Sequence, residues 1–169
     1  MRNLIPWITL AVAAIFMAKG DKPIKSRVRG IRNNNPGNLI KSGIPWLGKV
    51  VPGTDPTFEQ FKTMPYGIRA MLLDIIGKHK RGLDTIKELI YVWAPPFEND
   101  TEAYINNVAT RTGISKFVIF SPTKDNFLKI VKAMAYSENG PDVLLIPDKD
   151  WNEGWKLASS RSDIKSYIK

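Results

Sequence analysis

Four asparagines crowd the segment Arg29-Gly30-Ile31-Arg32-Asn33-Asn34-Asn35-Pro36-Gly37-Asn38-Leu39. Pro36-Gly37 sets up a tight turn, and asparagine side chains commonly satisfy backbone groups in such turns. A primary amide is both donor and acceptor, so Asn33, Asn34, Asn35 and Asn38 are equally suited to line a cleft that recognises sugar hydroxyl and N-acetyl groups. Proton transfer must come from carboxyl groups. The chain has no cysteine and a single histidine, which excludes thiol catalysis, thiolate zinc clusters, histidine-based triads and multi-histidine metal sites. His79, in Lys78-His79-Lys80-Arg81, reads as a solvated helix end. No metal ion and no cofactor is called for.

The glutamates are Glu59, Glu88, Glu98, Glu102, Glu138 and Glu153. Glu138 falls where a strongly apolar helix ends, just before Asn139-Gly140, which taken alone reads as a solvent-exposed helix terminus. Glu98 lies in the loop Pro95-Pro96-Phe97-Glu98-Asn99-Asp100, which it can brace. Glu59, between Phe58 and Phe61, is expected to point outward from a strand. Glu88 and Glu102 have helix-capping roles, and Glu153 has no assigned role. Trp93 and Tyr104 either fill the core or stack on a pyranose face.

These groups have to be positioned by the elements around them. Residues 31–61, rich in Asn, Pro and Gly, predict loops and a small β-hairpin. After Pro65 the spacing turns helical, with Ile68, Met71, Leu72, Ile75 and Ile76 on one face. Thr85 and Glu88 have the capping-box spacing ahead of a helix over 86–93, and Asp100 caps a helix over 101–112 that Gly113 ends. Phe127, Ile130, Val131, Met134 and Ala135 form the next stripe, which stops at Asn139-Gly140. A weaker helix over 150–159 carries Trp151 and Trp155 on one face. The expectation is a mainly helical α+β domain.

Residues 4–18, LIPWITLAVAAIFMA, carry no charge. The run is shorter than the roughly 20 residues that span a bilayer comfortably, and a bulky Phe16 stands where signal cleavage wants a small residue. Residues 1–20 are therefore read as an N-terminal hydrophobic helix acting as membrane anchor or uncleaved signal, 21–28 as a linker and 29–169 as the working domain. The basic residues behind the segment favour keeping that domain on the cytoplasmic side. The net charge of +9 implies a polyanionic partner, whether nucleic acid, anionic lipid or bacterial envelope polymer. No specific nucleic-acid motif singles out the first.

The order of RGIRNNNPGNL, Trp46-Leu47-Gly48, Phe58-Glu59-Gln60-Phe61, Tyr66-Gly67-Ile68-Arg69-Ala70, Trp93-Ala94-Pro95-Pro96-Phe97-Glu98-Asn99-Asp100-Thr101 with Tyr104, and Met134-Ala135-Tyr136-Ser137-Glu138-Asn139-Gly140 resembles a family of phage and prophage virion-associated proteins. That family looks like lysozyme-type lytic transglycosylases. The resemblance implies a lysozyme-like fold, in circularly permuted order because the glutamate helix here follows the Asn-rich region instead of preceding it. It implies cleavage of the peptidoglycan glycan strand, by a lytic transglycosylase or a muramidase. Glu138 would be catalytic, with Glu98 as runner-up, and Asn33, Asn34, Asn35, Asn38, Trp93, Tyr104 and Asn139 would bind substrate. One carboxyl suffices for the transglycosylase because the sugar's N-acetyl group assists and an internal hydroxyl closes an anhydro ring. The partners expected are peptidoglycan, a membrane through the N-terminal segment, and capsid or genome, with the protein anchored in a virion membrane or host envelope. The alternative is a non-catalytic, membrane-anchored virion structural protein.

Overall fold

A computed structural model describes residues 24, 26–97 and 99–169. The elements run α1 (Arg29–Arg32), α2 (Met64–Lys80), α3 (Ile86–Trp93), α4 (Thr101–Thr112), α5 (Lys124–Asn139), a 3-10 turn (Gly140–Leu145), α6 (Asp148–Ser159) and α7 (Ser162–Lys165). The caps are those the sequence signals. Thr85 and Glu88 exchange the two bonds of a capping box, Asp100 accepts from the Ala103 amide at 3.1 Å, and Thr123 accepts from the Asn126 amide at 3.2 Å. Each satisfies a helix donor that would otherwise lack a partner. Gly113 closes α4 in the left-handed conformation, with φ of 70°.

α2 is the axis of the core. Ile68, Met71, Leu72, Ile75 and Ile76 are fully buried, and α6 packs along α2 through Trp151, Trp155 and Ala158. The two helices come into close contact at Gly154, where a Cβ would lie 2.5 Å from Cγ2 and 2.7 Å from Cβ of Ile68. On the other side, α5 contributes Phe127, Ile130, Val131 and Met134, and α4 contributes Ile105 and Val108.

The α+β, lysozyme-like expectation is corrected to a helical architecture. Where a hairpin is expected over 31–61, the described residues hold two isolated antiparallel bridges, Ile40 with Phe58 and Lys49 with Phe61, and no sheet. The physical reason lies in the asparagines. Asn35 Nδ2 donates to the carbonyls of Leu39 and Glu59, both at 3.0 Å, its Oδ1 accepts from the Leu39 amide at 3.0 Å, and Asn34 Nδ2 donates to the Phe61 carbonyl at 2.9 Å. Side-chain amides thus take part of the backbone bonding that a longer strand ladder would use, and the backbone bonds of the two bridges remain beside them.

Two further expectations change. Glu59 does not face outward: it is 1% exposed, accepting from the Ser42 amide at 2.9 Å and from Lys49 Nζ at 2.8 Å. His79 is buried rather than solvated, its Nε2 against the Phe120 carbonyl at 2.9 Å and its Nδ1 against the Tyr167 hydroxyl. The C-terminal residues fold back over the end of α2 and cover it. The expected N-terminal hydrophobic helix lies outside the described residues; among the described residues no helix is long and apolar enough to cross a membrane.

The contact at Gly154 yields a stability test. Ile68 is β-branched and held in the core, so it cannot yield to a new methyl group, and Gly154→Ala is expected to cost about 1–3 kcal/mol through overpacking. A thermal melt should show a drop of several degrees, roughly 2–4 °C per kcal/mol for a domain of this size. An unchanged melting temperature would mean that the helices separate freely there.

Candidate functional site

Glu138 stands in the last turn of α5, and three side chains from three different elements converge on its carboxylate. Trp93 Nε1, at the end of α3, donates to Oε1 at 2.9 Å. The Tyr104 hydroxyl, on α4, reaches the same oxygen at 2.9 Å. Asn38 Nδ2, from the asparagine turn, donates to Oε2 at 3.1 Å. The carboxylate forms part of the wall of an open cleft of about 380 Å³, whose other lining includes Gly37, Asn38, Ile40, Phe58, Trp93 and Asn99. The aromatic rings and amides supply what a pyranose needs: flat apolar surfaces for its faces and paired donors and acceptors for its hydroxyls. Burial, and next the negative charge of Glu138, push the Tyr104 phenol well above its usual pKa, so it remains a neutral donor.

The asparagine turn reaches this cleft by being pinned at several points. Asn139, 5% exposed, donates from Nδ2 to the Pro36 carbonyl at 2.7 Å and to the Ala135 carbonyl at 3.0 Å, tying the turn to the end of α5. Gly30 makes the approach feasible, since a Cβ there would stand 2.2 Å from Asn139 Oδ1 and 2.4 Å from Asn38 Oδ1. Asn34 and Asn38 both take left-handed backbone, with φ of 52° and 47°, a conformation asparagine tolerates better than most residues. Below the turn, Asp55 accepts from Arg29 Nε and Nη2 at 2.7 and 2.6 Å and from Asn33 Nδ2 at 2.7 Å. The Arg29 guanidinium lies 4.4 Å from the centroid of the Phe58 ring, so this ion pair also sets one wall of the cleft.

The residues singled out in the sequence therefore divide. Glu138, Asn38 and Trp93 line the cleft, and Tyr104 braces Glu138 from behind. Asn33, Asn34 and Asn35 stand outside the cleft lining: Asn33 and Asn35 are buried, and the amide groups of all three are bonded within the protein. Asn139 stands outside it as well. Glu98 lies outside the described residues. Sequence reasoning missed Phe58, Asn99 and the Arg29–Asp55 pair. Phe58, Asn99 and Arg29 fall within the motif blocks of the sequence, but nothing in their spacing links them to Glu138.

The guanidinium of Arg29, and after it the Phe58 amide and the Asn33 side chain, hold the Asp55 carboxyl far below the ordinary carboxylate value. With its folded pKa depressed, Asp55 contributes stability that is fully present above the usual carboxylate range and is lost as pH falls toward the folded value. Urea midpoints measured from pH 6 downward should fall more steeply for the unaltered protein than for Asp55→Asn, which lacks that proton uptake. Parallel curves would remove Asp55 as an acid-labile link.

No family model matches the chain. It is 40% identical over 134 residues to Protein P5 of Pseudoalteromonas phage PM2, an alignment covering 76% of this chain and 81% of that protein. At that identity and coverage the chain belongs to the same family as Protein P5 of phage PM2, and so is a homologue of a bacteriophage protein.

Proposed function

We propose that this protein cleaves the glycan strand of peptidoglycan by a lytic-transglycosylase-type reaction, with Glu138 as the acid and then the base, and that its N-terminal hydrophobic segment holds the domain at a membrane. The observation that carries the reading is a half-buried carboxylate held by Trp93, Tyr104 and Asn38 in the wall of a cleft lined by amides and aromatic rings. A helix-end glutamate with only a solvation role needs no such convergence. Among the described lining residues Glu138 is the one carboxylate. A reaction that works with a single carboxyl can be run by this site as it stands. Membership of a phage protein family fits an enzyme that opens the bacterial envelope for entry or exit. Function rests here on the site and not on the fold.

In the reaction, Glu138 gives its proton to the glycosidic oxygen as the bond to the anomeric carbon breaks. The sugar's N-acetyl group supports the developing positive charge. An internal hydroxyl then attacks the anomeric carbon and returns its proton to Glu138, so that the enzyme is regenerated and an anhydro sugar is formed. The positive net charge draws the protein to the acidic polymers of the envelope.

The test is to incubate full-length protein with purified sacculi and identify the products. Anhydro-muropeptides are expected, and Glu138→Gln, which keeps an oxygen for Trp93 and Tyr104, should lower the rate about a hundredfold or more while leaving the melting temperature nearly unchanged. New reducing ends would replace the transglycosylase with a muramidase. Sacculi that bind the protein but stay intact would support a non-catalytic virion component instead. Full activity in Glu138→Gln would remove Glu138 from the chemistry.

A further inference from the structure

Two buried amide oxygens beside Glu138, Asn38 Oδ1 and Asn139 Oδ1, have no hydrogen-bond donor. Both lie close to the point where a Cβ of Gly30 would stand, at 2.4 and 2.2 Å. They are therefore neighbours on the bare side of one glycine. A C–H contact is a weak substitute for an N–H or O–H donor, and an acceptor left this way is costly. Asn139 cannot relieve the problem by turning over, because its Nδ2 is committed to the Pro36 and Ala135 carbonyls. Asn38 can. Its Nδ2 points at Glu138, donating to Oε2 at 3.1 Å with the backbone carbonyl of the same residue at 3.5 Å.

That orientation suits an ionised carboxylate and not a carboxylic acid. Trp93 Nε1–H, a donor only, and the Tyr104 hydroxyl both stand on Oε1, so the two lone pairs of that oxygen are taken. A proton arriving at Glu138 goes to Oε2, on the Asn38 side. There it would meet the hydrogens of the Asn38 amide. We propose that Asn38 is a proton-linked positioning residue whose side-chain amide turns over when Glu138 is protonated, as the geometry of Glu138, Asn38, Gly30 and Asn139 requires. After the turn, Oε2–H donates to Asn38 Oδ1, and Asn38 Nδ2 donates toward Asn139 Oδ1, giving both orphaned oxygens a donor. When the proton leaves, the amide returns and its N–H again meets the negative charge. Asn38 thereby holds the proton of the acid form and compensates the charge of the basic form.

Among the described residues, the other charged and titratable groups around this end of α5 have their own partners. Tyr104 on α4 touches Oε1. Arg111, also on α4, lies over the Tyr136 ring. Lys78 on α2 pairs with Asp74 and faces the Trp93 ring, and Arg29 on α1 pairs with Asp55. Asp142 in the 3-10 turn accepts from Ser26, and Lys132 pairs with Asp148 on α6. The group that gains a proton against Asn38 is Glu138.

This inference rests on Glu138 as the working carboxyl of the proposed function but not on turnover, and its test is spectroscopic. In full-length protein labelled with ¹⁵N and ¹³C, the Glu138 carboxyl carbon and the Asn38 side-chain amide are followed by NMR against pH. The two should titrate with one midpoint. A through-space contact between the Asn38 amide hydrogens and the Gly30 α-hydrogens should be present below it and absent above it. Glu138→Gln places an N–H where the acid places its O–H, so the contact should persist at every pH. The proposal fails if the contact is the same on both sides of the Glu138 titration, or if the Gln variant lacks it. Protein that shows the switch but leaves sacculi intact defeats only the glycan-cleaving reading. Active protein with a pH-invariant Asn38 defeats only this one.

Discussion

The cleft depends on one joint, the seating of the asparagine turn against the C-terminal end of α5. Asn139 Nδ2 on the Pro36 carbonyl at 2.7 Å links positions far apart in sequence, and Gly30 lets the chains come close enough for that bond to form. Without it, Glu138 would retain Trp93 and Tyr104 but lose the partner on its other oxygen, and the cleft would lose a wall. The helical core supplies the opposing rigid surface. α2 carries Met71, against which Gly37 of the turn rests, and α3 and α4 deliver Trp93 and Tyr104 to a single oxygen.

The helices were legible because each carries several signals that agree. In α3 the capping box of Thr85 and Glu88 coincides with an apolar stripe, and in α5 the Thr123 cap, the Phe127 to Ala135 stripe and the Asn139-Gly140 stop coincide in the same way. Agreement between local propensity and burial pattern is what makes an element readable from sequence. The region 31–61 carried conflicting signals. Its short apolar runs and turn residues suit a hairpin, but the same asparagines that mark the turns also compete for the backbone, and they win. Nothing in spacing alone distinguishes an amide that faces a ligand from one that faces a carbonyl.

The site was legible in part for a related reason. The helix-end position of Glu138 is a local property, legible in the apolar stripe and the Asn139-Gly140 stop, whereas its candidacy as the acid comes from the family resemblance. The placing of Trp93 and Tyr104 on its oxygen is a tertiary fact, and the sequence left both open between core and cleft; they prove to brace the carboxylate. The burial of Glu59 and His79 was not readable because it is produced by chain segments folding back from elsewhere, the Ser42 to Lys49 loop in one case and Phe120 with Tyr167 in the other.

The use of side-chain amides in place of a strand ladder also bears on how such a protein can diverge. A ladder is made of backbone groups and accepts almost any sequence that keeps its alternation, whereas the bonds made by Asn33, Asn34 and Asn35 exist only while those residues are asparagine. The apolar helices can exchange Leu, Ile, Val and Met among themselves with modest loss. Drift should therefore accumulate in the core and stall in the loop, the reverse of the usual pattern in which loops vary most. Distant relatives of this chain would be recognised by a short polar segment rather than by their hydrophobic interior.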